Sequence, residues 1–247
     1  MPMRSIMLKL LRLLVAIPRT RRWLFLTRLR YFVATGKLRT LDSDGSFQKT
    51  VSNNLTSIRV ASRRNLKLFR PLSVIETLSP RSKVLVIGPR NEYDLFLMLT
   101  CGFEWDNIEG LDLISYSPKI RLGDMHAMPY PESIWDAVVI GWTLSYSHQP
   151  QQAAREIIRV TKNGGLVAVG VTYNMLNEKE LLERFGSDIH DWKLLPERIN
   201  TADQILALFG QSVDTVFFRH DAPNKISPGS DKKAVPSYTA VIFSIKK

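Results

Sequence analysis

The chain reads as an α/β protein built on a doubly wound, mostly parallel sheet, and three observations carry that reading. Val84-Leu85-Val86-Ile87 is an unbroken apolar run closed by Gly88, as expected of a strand buried on both faces that ends in a tight turn. Ile108–Asp112, Trp135–Trp142 and Leu166–Val171 repeat the pattern. A helical pattern from Gln151 to Val160 separates the last two runs. Strands alternating with helices imply a sheet covered on both faces, with ligands at the carboxyl ends of the strands.

With 247 residues and 45% hydrophobic content, the chain can hold one sizeable domain plus an appendage. Cys101 is the single cysteine. It excludes an internal disulfide and a multi-cysteine metal site, predicts a reducing, cytoplasmic compartment, and has the apolar neighbours of an ordinary core thiol. No His or Cys spacing suits a metal. The net charge of +11 is concentrated, because residues 1 to 41 hold ten Lys or Arg and no acid. The rest of the chain nets only +1.

Taken in order, Ser5–Ile17 forms a basic amphipathic helix with Ile6, Leu10, Leu13, Leu14 and Ile17 on one face, stopped by Pro18. It is too short and too charged to span a bilayer. Arg21–Val33 adds Trp23, Phe25, Tyr31 and Phe32, residues suited to a headgroup boundary. Four uses of this segment compete: cap helices, attachment to an anionic membrane, a cleaved targeting sequence, and an RNA-binding arm. Leu41–Ser46 is the expected boundary between an extension, residues 1–45, and the α/β domain, residues 46–247. A helix is expected from Arg64 through Ile75, kinked near Pro71. Glu178–Phe185 is expected to be helical and Gly186–Pro196 a loop. Thr201-Ala202-Asp203-Gln204 has the form of a capping box for a helix ending at Gly210. Ser212–Arg219 and Tyr238–Ile245 read as an antiparallel strand pair, with a surface loop from His220 to Ser237 between them.

This order of pieces resembles a class I S-adenosylmethionine-dependent methyltransferase of the type 11 kind, over roughly residues 64 to 172. The most specific match is Met128-Pro129-Tyr130-Pro131-Glu132-Ser133-Ile134-Trp135-Asp136, and Lys162-Asn163-Gly164-Gly165 is similar to the family's Lys-Pro-Gly-Gly turn. The resemblance implies a Rossmann-like sheet of seven strands and S-adenosylmethionine as cofactor. It assigns the methionine end to the turn Ile87, Gly88, Pro89 and Arg90, the ribose hydroxyls to Asp112 beside Leu113, and the adenine to Asp124 and Met125. Gly141 and Trp142 would wall the cleft.

Two departures follow. The usual glycine-rich loop is reduced to Val86-Ile87-Gly88-Pro89-Arg90-Asn91-Glu92, so Arg90 is expected to take the cofactor's carboxylate and Glu92 its ammonium. Only eleven residues, Leu113–Gly123, separate Asp112 from Asp124, which predicts an extended crossing in place of a helix and an edge left open or covered by an N-terminal helix. Methyl transfer needs a base only if the acceptor must lose a proton, and His148 is the first candidate, with Tyr146 beside it and His190-Asp191 next. The expected activity is methyl transfer to a small, saccharide or lipid-linked acceptor at a membrane periphery. An RNA methyltransferase and a binding module without catalysis are the alternatives.

Overall fold

The computed structural model describes residues 3–41, 45, 47–173, 199–221 and 237–247. A seven-stranded sheet has the order β5-β3-β2-β6-β7-β9-β8, formed by β2 (Val84–Ile87), β3 (Ile108–Asp112), β5 (Ile120–Leu122), β6 (Trp135–Gly141), β7 (Thr161–Tyr173), β8 (Val213–His220) and β9 (Ser237–Ile245). All neighbours from β5 to β7 are parallel, and β9 runs antiparallel to both β7 and β8. The expected sheet and its C-terminal antiparallel pair are present.

Alternation along the strands divides the interior into two cores. Val84, Val86, Ala137, Val139 and Ala168 face one buried cluster with Leu68, Phe69 and Phe96. Those last three belong to α4 (Leu66–Leu72) and α5 (Glu92–Thr100). Leu85, Ile87, Val138, Ile140 and Val167 face the other, with Ile157 and Ile205 from α6 (Pro150–Val160) and α7 (Ala202–Phe209). The Thr201 hydroxyl and Gln204 amide form the expected capping box of α7. Lys162–Gly165 departs from expectation: these residues lie inside β7, which bulges between the partners of Trp135 and Ala137. The helix expected over Arg64–Ile75 is confined to α4, with Pro71 inside it. The elements expected over 178–196 and the loop over 222–236 fall outside the described residues.

Pro18 does not end helical structure. It occupies the first turn of α2 (Pro18–Ala34) directly after α1 (Met3–Ala16), a place where its missing N–H costs nothing. Val15, Phe25, Leu29 and Phe32 are buried in the same cluster as Val84 and Phe96. The short crossing from β3 to β5 is extended as expected, and β4 (Ile114–Ser115) pairs antiparallel with β1 (Arg39–Thr40). Tyr116 is buried there against Phe32, their rings 6.4 Å apart. The N-terminal segment thus closes the edge that the missing crossover helix would cover.

One ion pair fastens this arrangement. Arg28 on α2 donates two hydrogen bonds of 2.8 Å to the two carboxylate oxygens of Glu92, which is fully buried. Ser117 donates to the same carboxylate, and Tyr116 Oη accepts from the Glu92 N–H. Removing one member of such a pair strands the other charge. Arg28→Met is expected to destabilise the fold by about 2–3 kcal/mol, read from urea unfolding. The double variant Arg28→Met with Glu92→Gln should recover part of that loss.

Candidate active site

A cleft of about 600 Å³ opens at the carboxyl ends of β2, β3, β5 and β6, a size usual for a small-molecule site. Its floor is Ile87–Arg90, Asp112, Leu113, Gly123–His126 and Gly141–Thr143. Its roof is one face of α3 (Gln48–Thr56), presenting Thr50, Asn53 and Asn54, flanked by Phe47 and Ser57. Every described residue named from the sequence for cofactor or catalysis lines it, Tyr146 and His148 included, with the exception of Glu92, while His190 and Asp191 lie outside the described residues. Glu92 points under α2 into the pair with Arg28, so the expected contact with an ammonium is corrected: that carboxylate is already spent on a structural partner.

Gly88 has φ +67° and a Cβ there would lie 2.1 Å from Thr143 Oγ1, so only glycine permits this approach of the first turn to the Thr143 loop. Arg90 follows with φ +58°, and its N–H donates to Asp112 Oδ2 at 2.7 Å. Asp112 Oδ1 accepts from Ile114 N at 3.2 Å. Burial pushes Asp112 up to about 6, against these backbone donors. A carboxylate fixed from behind by two N–H groups retains lone pairs for a ligand diol.

Asp124 Oδ1 accepts from the backbone N–H of His126 and meets its ring Nδ1 at 2.7 Å. Burial raises Asp124, but the hydrogen bonds from His126 outweigh it and hold the acid below its ordinary value. The other ring nitrogen of His126 lies 2.7 Å from Ser147 Oγ, and the His148 ring is 4.5 Å from the His126 ring. His126 therefore ties the turn after β5 to the loop after β6. The sequence held one clue to this role, the two-residue spacing from Asp124.

Two further residues escaped the sequence reading, Asn65 and Asp94. Both line the cleft and both are buried. Asp94 is the second acid of helix α5, and burial pushes it up to about 7 despite a hydrogen bond from Asn65 and the nearby Arg90 and Arg64. Asn65 Oδ1, Arg90 Nε and Asp94 Oδ1 are buried without a hydrogen-bond partner, and such atoms are costly unless something pairs with them. A cation donor beside two acceptors fits the carboxylate and ammonium of an amino-acid end, while Asp112 fits a ribose diol. Among the described residues no cluster of His, Cys, Asp or Glu could hold a metal.

Residues 104–169 match a family described as a methyltransferase domain. No curated protein matches the sequence. Solved structures of similar fold include a chain of the complex between the Haloferax volcanii Trm112 methyltransferase activator and a methyltransferase, 14% identical with a TM-score of 0.54 over 83% of this chain and 98% of that one. The 4+2 cyclase SpnF is 17% identical with a TM-score of 0.51 over 84% and 97%. The CurJ carbon methyltransferase is 12% identical with a TM-score of 0.52 over 78% and 58%. At these identities the likeness is one of fold.

The turn itself is testable. Gly88→Ala should cost about 2–3 kcal/mol or more, from the left-handed backbone and the collision with Thr143. Gly164→Ala, with φ +73° and open space around it, should cost only about 1–2 kcal/mol. Thermal unfolding of the two variants separates close approach from backbone preference.

Proposed function

We propose that this chain is a class I S-adenosylmethionine-dependent methyltransferase, a reading supported by the methyltransferase-domain match over residues 104–169 and by the fold, and that it methylates a small or lipid-linked acceptor, saccharides included, presented at an anionic membrane surface. The observation that carries the cofactor reading is the trio of unsatisfied buried atoms on Asn65, Arg90 and Asp94 in the cleft that also holds Asp112. Arg90 would hold the cofactor's carboxylate, Asp94 and Asn65 its ammonium, Asp112 the ribose diol and Asp124 the adenine amino group. When bound, S-adenosylmethionine supplies an activated methyl group for in-line displacement.

The protein's task is then to position and desolvate the acceptor. The α3 roof excludes water from above the cleft, and the Asp124–His126–Ser147 chain of hydrogen bonds holds the acceptor-side loop over it. Tyr146 and His148, both solvent-exposed on the cleft wall, are placed to take the proton of a hydroxyl acceptor.

Membrane placement is supported by the outward face of α1. Ile6, Met7, Leu10, Leu13 and Ile17 are each more than half exposed, and Trp23 on α2 is 66% exposed, while Val15 alone is fully buried on the inner side. A cap helix would bury that stripe, and an RNA arm would not need it. With ten basic residues and no acid in residues 1–41, it suits the boundary of an anionic bilayer. None of the described helices is long and apolar enough to cross a membrane.

Isothermal titration tests the cofactor. An ammonium needs Asp94 ionised, and the acid titrates near 7 in the free protein, so affinity for S-adenosylmethionine should fall about tenfold from pH 8 to pH 6. Asp94→Asn should weaken binding at pH 8 by about tenfold or more and remove the pH step. No heat and no thermal shift at millimolar cofactor would overturn the reading in favour of a binding module.

Flotation tests the surface. The full chain should rise with phosphatidylglycerol vesicles, and Leu10→Glu with Leu13→Glu should abolish this without lowering the melting temperature. Equal partitioning of both proteins would remove the membrane from the proposal.

A further inference from the structure

At the mouth of the cleft two cations lie over aromatic rings in place of carboxylates. The Arg64 guanidinium is 4.7 Å from the centre of the Trp142 ring, and Lys67 Nζ is 3.8 Å from that of Tyr238. The two rings are neighbours, 6.3 Å apart, and His220 stacks on Tyr238 at 4.2 Å. Arg64 and Lys67 are both solvent-exposed residues, and among the described residues neither has a carboxylate within ion-pair distance. Asp203 in α7 and Asp221 after β8 both hold Arg219.

The placing of the two arginines sharpens this. Two guanidinium groups, Arg64 and Arg90, line the cleft together with the buried acids Asp94 and Asp112. Arg90 is the inner of the two, with its Nε sealed from water and unpaired. Arg64 is the outer one, exposed to solvent and seated on the Trp142 ring. An exposed cation held on a ring without a carboxylate partner is open to an added anion.

We propose that Arg64 and Lys67 bind an anionic group of the methyl acceptor, a phosphate or carboxylate, at the mouth of the cleft beside Trp142 and Tyr238. This rests on the methyltransferase reading above and names the class of its second substrate. The adjacent rings then do two things: they hold the cations in place while the site is empty, and they offer an apolar floor to the part of the acceptor that carries the methylated atom.

The test uses the full chain saturated with S-adenosylhomocysteine. Glycerol 3-phosphate and acetate should bind, glycerol should not, and the affinity of both anions should fall as salt is raised. Lys67→Gln, outside the cofactor cleft, should weaken glycerol 3-phosphate about tenfold and leave S-adenosylhomocysteine affinity unchanged. Arg64→Gln should weaken it at least as much.

A second arm separates the sources of phosphate. If Lys67→Gln also lowers binding to phosphatidylglycerol vesicles, the anion is a lipid headgroup. If vesicle binding is unchanged while glycerol 3-phosphate is lost, the anion is soluble. Cofactor binding with no preference for anionic probes over glycerol overturns this proposal and leaves the methyltransferase reading standing. Lys67-dependent binding confined to single-stranded RNA overturns it also. Failure of S-adenosylhomocysteine to bind would instead strike the parent reading.

Discussion

The hydrogen bond from the Arg90 N–H to Asp112 Oδ2 is the contact on which the rest of the site depends. It joins the turn after β2 to the end of β3, fixes Arg90 in a left-handed conformation, and aims the Asp112 carboxylate at the cleft. That conformation costs about 1–2 kcal/mol in a residue with a side chain, and the charged acceptor repays it. The next residue, Asn91, then caps α5 by accepting from the Tyr93 N–H, while its amide donates to the carbonyls of Ile58 and Val60. One short turn therefore places Arg90, starts the helix that carries Asp94, and ties down the segment leading from the α3 roof. A glycine-rich loop would do the first of these through its backbone. Here side chains do all three.

The N-terminal helices follow from the same economy. A crossing of eleven residues cannot hold a helix on that side of the sheet, so Tyr116 and Ser117 would face water with Glu92 behind them. α2 covers them, and Arg28 neutralises Glu92. The apolar residues that α1 needs for docking are few, chiefly Val15 with Leu11 beside it. The rest of its apolar face, Ile6, Met7, Leu10 and Leu13, lies exposed and is surplus to folding.

The sheet was legible in the sequence because each strand buried on both faces must be almost wholly apolar, and Val84–Ile87, Trp135–Gly141 and Leu166–Val171 are. Floor residues of the cleft were legible for a related reason: they sit where those runs stop. What could not be read was partnership across the chain. Glu92 and Asp94 are two residues apart in one helical turn, and nothing local says that Arg28, 64 positions away, claims the first and leaves the second to the cleft. His126 was hidden likewise, since its second partner, Ser147, comes from the other side of β6.

The fold by itself does not select a reaction. A 4+2 cyclase shares it as closely as a carbon methyltransferase does, so chemistry must be argued from the groups that face the cleft. The glycines usual in the first turn let backbone dipoles hold a cofactor at little cost in charge. On the proposed reading, Arg90 with Asp94 opposite would substitute side-chain ions, and Asn65 an amide, in a dry setting. Ions are stronger there but must be desolvated before anything binds, and Asp94 relieves that cost by accepting a proton near neutrality. A site built this way discriminates by charge: it rewards a zwitterion that satisfies both ions at once and penalises any ligand that leaves one of them unpaired.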